Sequence, residues 1–480
     1  MRGRTADPRR RGIPKVPDRL HSAFLPAGAD EGAVPIWCVD AGTWPAIRER
    51  LPAAERAFAD AAGFRAETGN HLLLPGTDGS IAGALFALDP PAKRGADPFL
   101  PGKLSGVLPA GHWRFAASPS EPRLAALAFA LGTYRFTRYR KSEARDVKIE
   151  LPDGVDGTEL TRIVEAVFLV RDLVNTPSND CGPSEIEAAA RTIAERFGAT
   201  VRSVVGDSLL GENFPLIHAV GRASARAPRL IEFSWGDAKH PKVALVGKGV
   251  CFDTGGLDVK TSAGMLLMKK DMGGAAHALG LAQMIMDAKL PVRLHVVIAA
   301  VENSISGNSF RPGDVLMSRK GESVEIGNTD AEGRLILADA LALADEFAPD
   351  LMIDFPTLTG SARVALGPEL PAAFTDDDSL AAALALHAAA EADPSWRMPL
   401  WRPYRSMLDS KIADMNNVNA GPFAGAITAA LFLSRFVERA KSWLHLDLFA
   451  WNPSTKPGRP EGGEAQTIRA LYALLAERYR

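Results

Sequence analysis

The chain has 480 residues, of which 46% are hydrophobic and 23% are charged, and its formal net charge is −2. This composition is typical of a globular protein with a sizeable core, and the length allows two or three domains. The near-neutral charge argues against a protein that binds nucleic acid or anionic membrane through overall electrostatics.

The first twenty residues are basic and contain three prolines, but they lack the apolar run of a secretory signal. We expect residues 1–30 to form a flexible basic tail. We find no apolar stretch of the ~18 residues that a membrane span requires. Cys38, Cys181 and Cys251 lie far apart, which argues against a disulfide framework. We therefore expect a cytoplasmic protein without a membrane partner.

Residues 31–150 are predicted to form a smaller N-terminal α/β domain. Its apolar runs VPIWCVD and IAGALFAL alternate with a stretch of helical spacing, WPAIRERLPAAERAFADAA. A connecting helix is expected within residues 151–176, over GTELTRIVEAVFLVRDLVN, because Pro177 and Gly182 then end regular structure. A larger C-terminal domain is predicted over residues 177–480.

In this larger domain, apolar strand-like runs alternate with helical stretches. KVALVGKG, VRLHVVIAAV and DLMIDF have the composition of strands, whereas DMGGAAHALGLAQMIMDAKL and LILADALALADEF have helical spacing. Such alternation predicts a mostly parallel sheet with helices on both faces. The expected fold class is thus α/β with two domains. In such sheets, reactive groups gather beyond the carboxyl ends of the strands.

Polar side chains follow the predicted strands, where we expect them at one edge of the sheet: Lys248, Asp253, Lys260, Asp271, Asp330, Glu332 and Arg334. Four of these are carboxylates, which would repel one another and raise one another's pKa without cations. Divalent metals remove that repulsion, and two ions ~3.5–4 Å apart can activate a water and polarise a carbonyl. The last three residues belong to NTDAEGRL, where an extended backbone would point alternate side chains into one site.

Each residue taken alone has a simpler explanation. An aspartate before a helix, such as Asp271, is more often a cap than a ligand, and Asp330 with Glu332 could cap the following helix. A single lysine is usually a solvated charge, and Arg334 could form a surface ion pair of small energy. The combination of all these residues at strand ends favours a metal site.

Five segments together resemble the leucine aminopeptidase (cytosol aminopeptidase) family of dinuclear metallopeptidases: VGKGVCFDTGG, KKDMGGAA, RPGDV, NTDAEGRL and TLTG. The resemblance covers roughly residues 165–452. It implies a metal-dependent aminopeptidase that hydrolyses the N-terminal residue from short peptides with a free N-terminus, with a leucine-like preference, through a two-metal-activated water. It also implies a homohexamer.

The resemblance further implies the roles of individual residues. Asp253 and Glu332 would bridge the two metal ions, Asp330 would bind the first ion, and Lys248 and Asp271 would bind the second. The ions would be Mn²⁺ or Zn²⁺, with Mg²⁺ or Co²⁺ as further candidates.

Two catalytic positions are matched by Lys260, which would hydrogen-bond the scissile carbonyl, and Arg334, which would hold a bicarbonate ion as the proton shuttle. The pocket for the first side chain would be lined by Met268, Thr357, Leu358 and Gly360. The chain departs from the family pattern at Phe355 and Pro356, just before TLTG, which bears on the shape of this pocket.

Two other functions compete with a peptidase. A phosphate-binding NTPase is not supported, because no G-x-x-x-x-G-K-[ST] motif is present. A regulatory protein that binds nucleic acid through its N-terminal domain, alone or in addition to peptidase activity, has only the basic residues 1–20 in its favour. We therefore regard nucleic acid as an improbable partner.

Overall fold

A computed structural model of the chain describes residues 20–30, 32–90, 93, 95–140 and 145–480. These residues form two compact units. The first unit ends at Thr133 and also includes the segment that ends at Glu165, whereas the second holds the segment that begins at Tyr134 and then Ala166–Arg480. Residues 1–19 of the predicted basic tail lie outside the described residues. Residues 20–30 of that tail are described, and they include a short strand, Phe24–Leu25, that pairs with Val147–Glu150. The predicted domain bounds 31–150, 151–176 and 177–480 remain a proposal.

The first unit consists of six strands and four helices, followed by a helix that continues into the second unit. In chain order they are β1 (Phe24–Leu25), β2 (Val34–Val39), α1 (Trp44–Arg50), α2 (Ala53–Ala61), β3 (His71–Pro75), β4 (Ile81–Ala87), α3 (Leu104–Val107), β5 (Gly111–Ala117), α4 (Pro122–Gly132), β6 (Val147–Glu150) and α5 (Gly157–Asn175). A 3₁₀ turn, Leu100–Lys103, precedes α3.

The strands of the first unit form one sheet in the order β1-β6-β5-β2-β4-β3, parallel except for the β3–β4 pair. The stretch of helical spacing over residues 44–62 forms two separate helices, α1 and α2. Pro52 causes the break, because the residue before a proline is forced towards extended backbone. Leu51 indeed has a ψ of 145°.

The second unit contains the other elements of the chain. They are α6 (Pro183–Arg196), β7 (Val201–Val205), α7 (Ser208–Gly211), α8 (Pro215–Gly221), β8 (Arg229–Trp235), β9 (Lys242–Asp253), α9 (Ser262–Met265), α10 (Gly273–Asp287), β10 (Arg293–Asn303), β11 (Val315–Met317), β12 (Ser323–Glu325), α11 (Glu332–Glu346), β13 (Leu351–Phe355), α12 (Gly360–Leu366), β14 (Ala372–Phe374), α13 (Asp378–Ala390), β15 (Trp396–Arg397), β16 (Met415–Asn416), α14 (Gly425–Leu433), β17 (Trp443–Asp447), β18 (Trp451–Asn452), β19 (Gly462–Gly463) and α15 (Ile468–Tyr479). Three 3₁₀ turns, Met268–Met272, Arg402–Leu408 and Ser434–Phe436, complete the list.

Eight of these strands form the main sheet, in the order β15-β14-β17-β13-β9-β10-β8-β7. The central strands β17, β13, β9 and β10 are parallel, as predicted from the sequence, and antiparallel pairs flank them. Helices cover both faces: α8, α11 and α14 share a core with one face, and α6 and α10 pack on the other. The predicted α/β class is confirmed.

Two glycines let α10 begin directly against the sheet. A Cβ on Gly274 would lie 1.8 Å from the backbone oxygen of Phe355, and a Cβ on Gly247 would lie 2.7 Å from Cα of Ala275. Backbone contacts this close exclude any side chain. They fix the start of α10, and with it the preceding 3₁₀ turn Met268–Met272, against the middle of β9 and the carboxyl end of β13.

The segment NTDAEGRL reaches the site by a different route from the predicted one. It follows β12, which belongs to a separate three-stranded sheet, β11-β12-β16, and not to the main sheet. The prediction of an extended backbone is also wrong, because Asp330 lies in a turn and Glu332 begins α11. Two carboxylates are therefore delivered by the amino end of a helix.

Candidate metal centre

Lys248 and Asp253 lie on β9, five positions apart. In a regular strand such residues point to opposite faces. The register against β10 shifts by one residue around Cys251, which is the extra residue of a bulge. As a result Lys248 pairs with Ala299 and Asp253 pairs with Asn303, and these partners share a face of β10. The bulge thus directs both side chains to the side of the sheet where α11 begins.

We call Lys248, Asp271 and Glu332 the inner group. The Lys248 ammonium lies 2.7 Å from Oδ2 of Asp271 and 3.1 Å from Oε1 of Glu332. It also donates a hydrogen bond of 2.8 Å to the backbone oxygen of Thr357. The three side chains of this group are 2–5% exposed. All three protons of the ammonium thus have an oxygen within reach, in a place closed to solvent.

We call Lys260, Asp253 and Asp330 the outer group. The Lys260 ammonium lies 2.7 Å from Oδ2 of Asp253 and contacts Oδ1 of Asp330. The other oxygen of Asp253 accepts hydrogen bonds from the Asn303 side chain at 2.8 Å and from the Gly255 N–H at 2.9 Å. Lys260 and Asp330 are 16% and 33% exposed. The outer group therefore has an open side.

The four carboxylates carry more negative charge than the two lysines neutralise. Burial and the nearby Asp253 carboxylate raise the pKa of Glu332 to about 8 and that of Asp330 to about 6. Burial opposes the charged form of Lys248, but the carboxylates of Asp271 and Glu332 outweigh it and raise the pKa of this lysine. The site therefore stabilises positive charge beyond what the protein itself supplies.

The donor set fits divalent metal ions. Carboxylate oxygens of Asp253, Asp330 and Glu332 all lie within 4.8 Å of one another, so a single ion could reach all three. Oδ2 of Asp271 is buried and accepts no hydrogen bond of good geometry from any described residue, although it faces the Lys248 ammonium. Oxygen donors with one nitrogen suit Mn²⁺, Zn²⁺, Mg²⁺ and Co²⁺.

Arg334 lies in the first turn of α11, two residues after Glu332. Residues two apart on a helix point in nearly opposite directions, so these side chains cannot enter the site side by side as the extended prediction required. The Arg334 Nη1 donates a hydrogen bond of 2.6 Å to the backbone oxygen of Asn417, whereas its buried Nε has no hydrogen-bond partner within the part of the chain that the structure describes. Burial lowers its pKa to about 10, so the guanidinium stays charged near neutral pH. It offers an unused donor to an anion.

The predicted residues of the first-side-chain pocket lie beside the inner group. Thr357 donates its hydroxyl to Oδ1 of Asp271 at 2.7 Å. Leu358 follows it directly, and Met268 begins the 3₁₀ turn that also carries Asp271. Gly360 is the first residue of α12 and is exposed.

The departure from the family pattern at Phe355 concerns the core rather than this pocket. The Phe355 ring is fully buried, and its centre is 6.3 Å from that of the His277 ring. His277 itself accepts a hydrogen bond of 2.8 Å from the Gln466 N–H. Both side chains therefore serve packing.

Three buried side chains that hold the site together were missed in the sequence. Asn303 orients Asp253, as described above. Asn417 accepts the Gly327 N–H and donates to the backbone oxygen of Asn328, both at 2.8 Å, and so braces the start of NTDAEGRL. Asp447 accepts the N–H groups of the TLTG loop. The segment WLHLDL contains Asp447 and alternates apolar with polar residues, as a strand does. No sequence pattern marks Asn303 or Asn417.

Comparisons with known proteins agree with this geometry. A model of the cytosol aminopeptidase family, catalytic domain, matches residues 168–472, more than half of the chain. The chain belongs to the cytosol aminopeptidase family. A model of the M17 aminopeptidase N-terminal domain matches residues 34–152. The resemblance found in the sequence is thereby confirmed.

Individual relatives in this family match over most of their length. A probable cytosol aminopeptidase from Caulobacter vibrioides is 38% identical over 427 residues, which is 85% of this chain and 85% of the relative. A crystal structure of cytosol aminopeptidase from Coxiella burnetii superposes with a TM-score of 0.90 at 46% identity, covering 96% of this chain and all of that one. The bottromycin maturation enzyme BotP in complex with Mn superposes with a TM-score of 0.83 at 32% identity, covering 93% and 99% of the two chains.

Family membership makes the chain a metal-dependent aminopeptidase, a hydrolase of peptide bonds. It gives no support to the alternative of a nucleic-acid-binding regulatory protein. Across the described ranges, every helix is too short or too polar to cross a membrane.

Proposed function

We propose that the enzyme removes the N-terminal residue from short peptides with the help of two divalent ions, held by the inner and outer groups. The convergence of four carboxylates and two lysines on one face of the sheet is the observation that supports this proposal. Such ions, when bound, would activate a water and polarise the scissile carbonyl. No covalent acyl-enzyme is involved.

The five proposed ligands are Lys248, Asp253, Asp271, Asp330 and Glu332. Glu332 and Asp253 would bridge the ions, because each has two oxygens and the two side chains face both groups. Asp330 would complete the first site, and Lys248 with Asp271 the second. Lys248 ligates only without its proton, since an ammonium has no free lone pair.

Lys260 is the proposed electrophilic catalyst. Its ammonium sits on the open side of the outer group, and the carboxylates of Asp253 and Asp330 keep it protonated, since they outweigh the effect of burial and raise its pKa. A protonated amine there can hydrogen-bond the carbonyl oxygen of the substrate as negative charge develops on it.

Arg334 is proposed to bind bicarbonate, which would carry the proton from the water to the leaving amine. The guanidinium is not itself a general base, because it remains protonated. Its buried, unpartnered Nε supports an anion at this position. A planar guanidinium matches the two oxygens of bicarbonate.

The finer properties of the enzyme are also proposals. Manganese or zinc are the preferred ions. The structure of BotP, a relative by structure, is of a complex with Mn, which supports manganese. Met268 and Leu358 give the pocket an apolar wall, which supports side chains with a leucine-like stem. A homohexamer is proposed from the family resemblance, and action in the cytosol from the name shared by the curated relatives.

Paired substrates test the proposal. Enzyme stripped with a chelator should not hydrolyse leucinamide, and two equivalents of Mn²⁺ per chain, counted by elemental analysis, should restore hydrolysis. N-acetyl-leucinamide should resist the same enzyme, because it lacks the free amine. Equal hydrolysis of both substrates, or full activity of metal-free protein, would contradict the proposal.

A further inference from the structure

A buried cation without an acceptor lies beside the first-side-chain pocket. Lys270, two residues after Met268, is 4% exposed. Its ammonium lies 4.6 Å from the centre of the Phe449 ring. Within the described parts of the chain it has no ion-pair partner and no hydrogen-bond acceptor. The ring face attracts the charge, but it offers the ammonium protons no oxygen acceptor from the described protein atoms.

A second cation approaches the same ring. The guanidinium carbon of Arg363, on α12, lies 5.3 Å from the centre of Phe449. A Cβ built on Gly360 would be 4.0 Å from Nη2 of Arg363, so this group borders the proposed pocket. Arg363, too, forms no hydrogen bond or ion pair with any described residue.

The nearby carboxylates are already engaged. Asp447 accepts the Leu358 N–H at 2.8 Å and both the N–H and the hydroxyl of Thr359, at 3.2 and 2.6 Å. Asp271 faces Lys248 and Thr357. Neither cation around Phe449 forms an ion pair with these carboxylates among the described residues. Burial lowers the pKa of Lys270 to about 8, and Asp271 and Asp447 only partly offset that effect.

We infer that the first-side-chain pocket has an apolar entrance and a cationic end, formed by Lys270 and Arg363, and that it selects an N-terminal residue with a terminal carboxylate, glutamate above all. The two methylenes of glutamate can occupy the apolar part next to Met268 and Leu358, as a leucine stem would. Its carboxylate would then meet the unpaired ammonium and guanidinium. This inference rests on the proposed function, because it assigns the substrate of that same site.

Three aminoacyl amides separate the effects of shape and charge. Glutamine has nearly the shape of glutamate but no charge, and leucine fills only the apolar part. With the Mn²⁺-loaded enzyme, we expect kcat/KM for glutamyl amide to exceed that for glutaminyl amide by about 10- to 100-fold, as for hydrogen bonds between charged groups. A glutaminyl value equal to or above the glutamyl value would overturn the inference, while hydrolysis of leucinamide would leave the proposed function standing. Failure to hydrolyse any of the three would refute both.

Variants then assign the preference to these side chains. Lys270→Met and Arg363→Gln should each lower the ratio of glutamyl to glutaminyl kcat/KM towards one and weaken inhibition by free glutamate. Lys269→Met is the matched control, because the Lys269 ammonium donates to the backbone oxygen of Asn175 at 2.7 Å instead; its ratio should stay high. Arg363 is exposed, so its variant tests the inference even where Lys270→Met does not fold. An unchanged ratio in Arg363→Gln would remove the guanidinium from the proposal, and an unchanged ratio in both variants would refute it.

Discussion

The inner and outer groups have the same composition and different surroundings. Each consists of one lysine between two carboxylates. The lysine of the inner group, Lys248, is 3% exposed, whereas that of the outer group, Lys260, is 16% exposed and faces a carboxylate, Asp330, that is one-third exposed. Lys248 is also held by the backbone oxygen of Thr357.

Burial, and not residue type, therefore separates the proposed roles of the two lysines. A substrate carbonyl can approach only a lysine that has an open side, which is Lys260. Lys248 is enclosed by protein atoms on all sides, so it can act only on what is bound within the cluster.

The largest effect is expected when the inner group loses the Glu332 carboxylate. Glu332→Ala should lose bound Mn²⁺ and lower kcat/KM by at least about 10³-fold, because the several kcal/mol of charge stabilisation by the ions are lost. The far-ultraviolet circular dichroism should remain that of the folded protein. Glu346→Ala, at the other end of α11, is the control, since that carboxylate pairs with Arg319 at the surface. A full complement of Mn²⁺ in Glu332→Ala would refute its assignment as a ligand.

The two lysines should respond differently to the same substitution. Lys260→Met should lower kcat by about 10²- to 10³-fold while metal content is retained, because it removes a donor to the developing oxyanion. Lys248→Met should instead reduce the number of ions bound per chain. Elemental analysis measures the ions bound per chain in both variants, and steady-state kinetics measures their kcat. Metal loss in the first and retention in the second would reverse the assignment of the groups.

A methyl group added at Gly333 should disturb the inner group selectively. The new Cβ would lie 2.5 Å from Cε of Lys248 and 2.8 Å from its Nζ. Because the lysine has no free space around it, we expect Gly333→Ala to lower kcat/KM by about tenfold and the free energy of unfolding by about 1–3 kcal/mol. Gly421→Ala, where no atom lies within 4 Å of the added Cβ, should leave both unchanged. Wild-type activity in Gly333→Ala would show that Lys248 has room to move.

The sequence motifs single out residues that lie close together in the structure, although the backbone that carries them differs from the predicted one. The roles of these residues in metal binding and catalysis remain predictions. Its motifs brought together four carboxylates and two lysines that the structure indeed places on one face of the sheet. The bulge at Cys251, which turns Lys248 and Asp253 to the same side, could not be predicted because it is defined by the register against β10. The start of α11 at Glu332 was missed because its N-cap residue, Ala331, has no capping side chain.

The supporting residues were beyond sequence reasoning for a related reason. Asn417 is 89 positions from Asn328, and Asn303 is 50 positions from Asp253. Such hydrogen bonds depend on the path of the whole chain, and asparagines in polar stretches are common without any such role. The strands and the two long helices, in contrast, follow from local apolar periodicity.

A further buried carboxylate on α11, Asp339, differs from those of the inner and outer groups because no lysine among the described residues pairs with it. Asp339 is fully buried and accepts the N–H groups of Leu216 and Arg319 at 2.8 Å and of Ile217 at 3.3 Å. Burial raises its pKa from 3.8 to about 7. The folded state then binds a proton more tightly than the unfolded chain, so this residue makes stability fall as pH rises from about 4 to about 7.

Asp339→Asn should remove that dependence at a modest cost. The amide would place a donor against a backbone donor, which we expect to destabilise the protein by about 1–3 kcal/mol at pH 5. The difference in free energy of unfolding between the wild-type protein and the variant should shrink as the pH approaches 7, since only the wild-type protein loses stability through this residue. Urea unfolding of both proteins at pH 5, 6 and 7 measures this difference in stability. All other titrating groups contribute equally to both proteins and drop out of the comparison. Parallel pH profiles would mean that backbone N–H groups alone keep Asp339 ionised, so that a buried carboxylate on α11 requires no cation.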